Sequence, residues 1–172
     1  QSNTFVKPIL PPEGIQVVDP NKAFQITWML KGVTKRGTAK SLRDFKYEIA
    51  GKTGTTNDNM DAWFLGVSPE LAVGVYVGYD TPKDLGEGET GGKVAVPIFS
   101  DFMKIALKNK ERRPFLVPEG VEMVKIDYKT GSVIRSDNKN TIYEAFLKGY
   151  SSSSEKEPKQ KKSLKGLEGG LY

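Results

Sequence analysis

The residues with the clearest chemical meaning form one run, Lys52-Thr53-Gly54-Thr55-Thr56, set between Ile49-Ala50-Gly51 and Asn57-Asp58. On a β-strand side chains alternate, so Thr53 and Thr55 project from one face and Lys52 and Gly54 from the other. Two hydroxyls on one face beside an ammonium make a seat for a carboxylate. Backbone N–H groups at a strand edge can also converge into an oxyanion hole. The bare Cα of Gly54, on the lysine's face, lets another element press against the strand. Such a constellation suits recognition of an anionic carbonyl compound, and it holds no nucleophile of its own. The plainer reading is a polar edge strand whose threonines serve β-propensity. A K-T-G tripeptide alone does not decide between the two.

Composition bounds the rest of the chemistry. The chain contains no His and no Cys. Their absence removes Ser-His-Asp and Cys-His catalysis, thiol redox chemistry, thiolate-held iron–sulfur clusters and zinc sites of His and Cys. Acid–base work falls to Asp, Glu, Lys or Tyr, and a nucleophile to a Ser or Thr hydroxyl. The length of 172 residues fits one ordinary domain. A net charge of +5 is mildly basic and short of a nucleic-acid binder's footprint, so no nucleic-acid partner is expected. Without Cys the redox compartment stays open. No apolar run approaches the ~20 residues that span a bilayer. Gln1-Ser2-Asn3-Thr4 has neither the charge nor the apolar core of a signal peptide. A chain that starts at Gln1 reads as a fragment, with any export signal on other sequence.

The elements that must position Lys52–Thr56 follow from periodicity and turn chemistry. Residues 1–18 read as an irregular leading segment broken by Pro8, Pro11 and Pro12. Asp19-Pro20 starts a helix carrying Phe24, Trp28, Leu30 and Val33, with Gly37 as its stop. Residues 38–46 look like a solvated connection. Tyr47–Thr56, Asp61–Val67 and Leu71–Tyr79 read as three antiparallel strands in sequence order, with a tight turn at Ser68-Pro69-Glu70. In the third strand Leu71, Val73, Val75, Val77 and Tyr79 share one face, and Ala72, Gly74, Tyr76 and Gly78 the other. The small residues of that second face predict a helix packed there. A Gly-rich loop, 80–93, leads to a helix over 94–110, with Pro97 tolerable only in its first turn. Residues 114–150 return to short strands, 121–127, 132–135 and 142–146. Residues 151–172 read as a disordered tail. Trp28 and Trp63 are expected to fill the core.

In its wider context the K-T-G run resembles a known family. Residues 49–58 continue into Asp61-Ala62-Trp63-Phe64-Leu65-Gly66 and Gly74-Val75-Tyr76-Val77-Gly78-Tyr79-Asp80. Together these resemble the transpeptidase domain of class A penicillin-binding proteins, the bifunctional peptidoglycan synthases. The likeness takes in Lys7-Pro8-Ile9-Leu10, Met29-Leu30-Lys31-Gly32-Val33, Gly37-Thr38-Ala39 and Gly91-Gly92. It continues through Ala95-Val96-Pro97-Ile98, Phe102-Met103, Phe115-Leu116-Val117-Pro118 and residues 144–149, and the ending Gly169-Gly170-Leu171-Tyr172 looks like a family carboxy terminus. The resemblance implies an α+β penicillin-binding fold and a serine D,D-transpeptidase. A serine attacks a D-Ala-D-Ala stem peptide to form an acyl-enzyme, which an amine of a neighbouring stem resolves into a cross-link. β-Lactams acylate the same serine. Carried over by position, Lys52 contributes charge to the proton-transfer network. Thr53, Gly54 and Thr55 form the substrate-binding strand, the two hydroxyls holding the terminal carboxylate. The Thr55 N–H gives half of an oxyanion hole. No cofactor is implied, and the setting is the periplasmic face of the bacterial inner membrane.

One departure matters. The family's S-x-x-K and S-x-N motifs precede the K-T-G strand, yet before Lys52 the only serines are Ser2 and Ser41, and neither begins such a motif. Ser136-Asp137-Asn138-Lys139 and Ser153-Ser154-Glu155-Lys156 match in letters but follow the strand. The chain is therefore expected to hold the carboxy-terminal part of the domain over 1–113, a small β-rich segment over 114–150 and a tail over 151–172. Its nucleophile, amino-terminal half, glycosyltransferase and membrane anchor would lie elsewhere, leaving the isolated chain inert. Two other readings stay open: a penicillin-binding sensor without turnover, and a non-catalytic cell-wall-associated β-domain. Gly86–Lys93 fails as a phosphate loop, because Glu87 stands where the first Gly is needed and Val94 replaces the Ser/Thr; it reads as a mobile loop near the site. Asp58, Asp61 and Asp80 suit turns and strand ends better than a metal. Lys108, Lys110, Arg112 and Arg113 suit a solvated helix end.

Overall fold

A computed structural model describes residues 15–151. The sequence readings for 1–14, for the 152–172 part of the tail, for Ser153 and for the Gly169–Tyr172 ending lie outside them. The first element, α1 (Pro20–Arg36), begins as its sequence dictates, the Asp19 carboxylate accepting the Lys22 N–H at 3.0 Å and Pro20 opening the first turn. It ends at Gly37, whose N–H donates to the Val33 carbonyl at 3.1 Å. The segment that follows is not merely a solvated connection. Ala39 and Leu42 are buried in the core, while Thr38, Ser41 and its charged residues face water.

Three strands then form a sheet in the order β1-β2-β3, antiparallel throughout: β1 (Ala50–Thr55), β2 (Asp61–Val67) and β3 (Ala72–Gly78). Ser68 closes the β2–β3 turn, its N–H donating to the Leu71 carbonyl at 2.8 Å while its hydroxyl accepts the Leu71 N–H at 3.0 Å. A wide turn, Gly91–Ala95, leads into α2 (Val96–Ala106), with Pro97 in the first turn, where its missing N–H costs nothing. The helix stops well short of residue 110, the Leu107 N–H closing it onto Met103. On the far side of α1, β4 (Val121–Asp127) and β5 (Thr141–Leu147) make an antiparallel hairpin. The strand expected over 132–135 is reduced to a single bridge between Val133 and Ile126. Among the described residues, no helix is long and apolar enough to cross a membrane.

The side of the sheet that α2 covers is the reverse of the sequence expectation. Val75 is buried, with Val73, Val77 and Leu71 packed beside it, and Phe99, Met103 and Val96 of α2 lie against them. Ala72, Gly74 and Tyr76 face outward. The more apolar face won because burying valines gains more than a close approach over alanine and glycine. The close approach does occur, on the valine side, at glycines of the neighbouring strands. An added Cβ on Gly51 would fall 2.6 Å from Phe64, and one on Gly66 2.5 Å from Phe99. The two rings meet edge-to-face, 4.8 Å apart. Of the two tryptophans, Trp28 packs beside Phe24 in a second cluster between α1 and the hairpin. Trp63 is 42% exposed on the outer face of β2, against expectation.

Helix α1 is the beam between the two sheets. The Thr34 hydroxyl lies 2.8 Å from the Ile49 carbonyl just before β1, and Lys31 pairs with Glu48. Gln25 and Trp28 donate to the carbonyls of Ala145 (2.9 Å) and Tyr143 (2.7 Å) on β5. At the hairpin's far end Asp127 accepts the Lys129 N–H and the Asn138 side-chain amide, both at 2.9 Å. The Lys129 bond above all, then the Asn138 and Asn140 amides and the Thr130 N–H, holds its pKa below the ordinary carboxylate value against the opposing effect of burial. A depressed carboxylate pKa stabilises the fold fully above the unfolded value and less as pH falls through the folded one. Asp127→Ala should therefore weaken hydrogen-exchange protection of the hairpin amides at neutral pH. The gap from wild type should close below about pH 4. A gap that persists in acid would show that the turn does not depend on the carboxylate's charge.

Candidate functional site

Strand β1 is the outer strand of its sheet, and the groups of chemical interest collect along its open edge. The Thr56 N–H bonds the Asp61 carbonyl at 3.0 Å, turned towards β2. Backbone groups alternate along a strand, so the N–H and C=O of Thr55 and Thr53 point the opposite way, to the edge without a sheet partner. The side chains divide as the alternation predicts. Thr53 pairs with Phe64 and Thr55 with Ala62, both on the buried face. Lys52 and Gly54 pair with Leu65 and Trp63 on the outer face. The Lys52 side chain then curls over the edge, and its Nζ donates to the outward-facing Thr53 carbonyl at 2.7 Å. Ammonium and hydroxyls thus share one edge although they leave from opposite faces. Lys52 and Thr55 are exposed and Thr53 is half-buried, so a solute can reach all of them.

Two neighbours stand behind the threonines. The Thr38 hydroxyl, two residues past α1, is 2.7 Å from the Thr53 hydroxyl. The Gly91 N–H donates to Thr55 Oγ1 at 3.1 Å. The glycines of the wide turn make this approach possible. An added Cβ on Gly91 would lie 2.5 Å from the Gly54 carbonyl oxygen and closer still to that of Trp63; one on Gly92 would lie 2.6 Å from the Thr38 carbonyl oxygen. The close approach expected at the bare Cα of Gly54 is thus made at Gly91 and Gly92, on the threonine side. On Gly54's own face, an added Cβ would meet only its strand neighbour Trp63, at 3.3 Å.

Past Thr55 the chain turns through Asn57–Asn59, with Asp58 (φ 60°) and Asn59 (φ 52°) left-handed, a conformation Asp and Asn tolerate. The turn opens a shallow cleft of about 580 Å³ lined by Thr55, Asn57, Asp58, Met60, Asp61 and Pro82. Asp61 accepts the Tyr76 hydroxyl at 2.9 Å, and mainly through that bond the Tyr76 pKa is raised. Among the described residues, no group of His, Cys, Asp and Glu is arranged to hold a metal. The Gly-rich loop is tied to this cleft by the Leu85 N–H on the Asn59 carbonyl (3.0 Å), and Lys93 pairs with Glu89 at 2.9 Å. Arg113 pairs with Glu111 and Glu70 at the foot of α2. Ser136 sits on the hairpin connection, where Asp137 pairs with Lys125 at 2.8 Å, and not on the sheet that carries Lys52. Sequence reasoning missed Thr38. The tripeptide Gly37-Thr38-Ala39 entered only as part of a resemblance, because nothing local links it to Thr53.

A family model described as "Penicillin binding protein transpeptidase domain" matches residues 4–104. The chain is 45% identical over 138 residues to penicillin-binding protein 1A of Rickettsia prowazekii, covering 80% of this chain and 17% of that protein. It is 44% identical over 107 residues to penicillin-binding protein 1A of Neisseria gonorrhoeae, covering 62% of this chain and 13% of that one. The crystal structure of penicillin-binding protein 1A from Haemophilus influenzae superposes with a TM-score of 0.67 at 34% identity, over 77% of this chain and 21% of that chain. The chain thus spans about a sixth of the length of the first of these relatives, at 17%. Because the match runs through both the K-T-G strand and most of the helix that backs its sheet, this chain belongs to the family of penicillin-binding protein transpeptidase domains.

Proposed function

We propose that this chain furnishes the substrate-recognition strand of a serine D,D-transpeptidase that cross-links peptidoglycan stem peptides and is acylated by β-lactams. The observation that carries the reading is the open edge of β1, where the Lys52 ammonium, the Thr53 hydroxyl and the outward Thr55 N–H line one strip. A terminal D-Ala carboxylate lies against Thr53 and Thr55, with Gly54 leaving the opposite face of the strand bare between Lys52 and the turn. The scissile carbonyl oxygen meets the Thr55 N–H, where one such donor is worth about 10²–10³ in rate. The serine, supplied by an S-x-x-K motif outside this chain, forms the ester bond as the peptide C–N bond breaks and the terminal D-Ala leaves. The acceptor amine then displaces the serine, forming the cross-linking amide. Lys52 stabilises the negative charge that gathers at this edge in both steps.

The apolar outer face supports a missing amino-terminal half as the chain's partner. Leu65 is 59% exposed and Tyr76 49%, and Leu30, Leu65 and Ala72 line an open groove of about 350 Å³. Surface of this kind is ordinarily covered. In this reading the isolated chain is inert, and the assembled enzyme works at the periplasmic face of the inner membrane, where its substrate lies. The test is mass spectrometry of the products that the complete protein forms from stem-peptide substrate. Cross-linked dimers support the transpeptidase. Acylation by penicillin without dimers makes it a sensor, and neither makes the K-T-G strand incidental.

A further inference from the structure

We propose that Thr38 is a positioning residue of the substrate site: its hydroxyl fixes the direction in which the Thr53 hydroxyl donates, and so tunes recognition of the substrate carboxylate. The inference rests on the reading that Thr53 meets that carboxylate. A hydroxyl has one proton and two lone pairs. The Thr38 and Thr53 oxygens are 2.7 Å apart, so one donates to the other and the pair keeps a single proton for anything else. With an anion at the edge of β1, the favourable arrangement has Thr38 donating to Thr53 and Thr53 donating outward. Each bond then strengthens the next.

Thr55 is built in the same way. Its Oγ1 accepts the Gly91 N–H at 3.1 Å, which occupies a lone pair and leaves its proton for another partner. Each recognition hydroxyl therefore has a donor behind it: a backbone amide for Thr55 and a side chain for Thr53. The amide cannot turn round. Thr38 can act in its place only if it is itself held, and it is. The flanking Gly37 and Ala39 N–H groups both bond the Val33 carbonyl at the end of α1 (3.1 and 3.3 Å), and Ala39 is buried. The Thr38 carbonyl packs against Gly92, where even a Cβ would not fit. Two elements thus fix the Thr38 backbone, while its side chain is exposed at the site. A threonine needed only to staple the loop would duplicate what those backbone bonds already do.

The experiment compares Thr38→Val, Thr38→Ser and Thr53→Val in the complete enzyme. The probes are benzylpenicillin, with its free carboxylate, and its methyl ester, and the readout is the second-order acylation rate. Thr38→Val keeps shape and loses the hydroxyl. A hydrogen bond to a charged group is worth roughly tenfold or more, and a bond one step behind it is expected to carry about tenfold. Thr38→Val should lower the rate for the free acid by about that factor, chiefly through weaker half-saturation, and change the ester rate little. Thr38→Ser should restore the preference for the acid. Equal losses for acid and ester, or failure of the serine to restore, would make Thr38 a structural staple and overturn the proposal. So would an unchanged Thr38→Val beside a Thr53→Val that loses its acid preference. A Thr53→Val variant that keeps the acid preference would instead show that Thr53 does not meet the carboxylate, and both readings would fall.

Discussion

Gly91→Ala is expected to destabilise the domain by about 3 kcal/mol and to abolish most β-lactam acylation in the complete enzyme. Gly91 has an ordinary negative φ, so the requirement is for space. Its added methyl would meet the carbonyl oxygens of Gly54 and Trp63, both backbone atoms of paired strands, which cannot rotate aside as a side-chain tip can. Either the β1–β2 ladder opens or the wide turn lifts away. In both cases the Gly91 N–H leaves Thr55 Oγ1 and the K-T-G strand loses its backing. The thermal midpoint should drop by about 6–12 °C for a domain of this size. Gly131→Ala is the instructive contrast. Gly131 has φ 73° and nothing within 4 Å of an added Cβ, so only the left-handed strain of about 1–2 kcal/mol applies, far from the site. Equal effects from the two substitutions, in melting and in acylation, would mean that Gly91 does not back the K-T-G strand.

Lys52→Met should lower acylation by a few hundredfold, about 10²-fold at the least, with little change in stability. The side chain is exposed, and its contact is a single bond to the Thr53 carbonyl, so the fold does not rest on it. Its charge is another matter. An ammonium about 4 Å from developing negative charge gains roughly 4 kcal/mol at an effective dielectric constant near 20. The full ~4 kcal/mol is just under three decades, and solvent access at this edge and repositioning of water give part of that back, which leaves a little over two. Lys52→Arg keeps the charge but spreads it over a planar group, and should recover only part of the rate. Stopped-flow acylation of the complete enzyme is the measurement. A loss smaller than about threefold would remove Lys52 from the chemistry and leave it a solvated edge residue.

The parts legible in the sequence were those with local causes. Asp19-Pro20 wrote the start of α1, Ser68-Pro69-Glu70 the hairpin turn, and the alternation of 71–79 a strand with the side-chain faces seen. The face that α2 covers was not local. The valine face gains more on burial, but α2 can close on it only because Gly51 and Gly66, residues on other strands, leave slots for Phe64 and Phe99. Trp63 likewise looked like core because of its size, but its position in the β2 alternation placed it outward. At the site, the division of Lys52 and Gly54 from Thr53 and Thr55 followed from strand geometry. The neighbours did not. Thr38 reaches Thr53 only because α1 ends where it does, and Gly91 reaches Thr55 only because the loop after β3 returns across the sheet. No periodicity carries such a meeting.

In the proposed reading this chain brings the substrate strand of a transpeptidase but not its nucleophile. The intact mass of the purified chain after incubation with benzylpenicillin, measured beside the complete protein, tests it most directly. No covalent adduct is expected on the chain, and one penicilloyl group on the complete protein, attached at a serine of an S-x-x-K motif outside these residues. A stoichiometric adduct on the isolated chain, at Ser136 or any other of its residues, would contradict it.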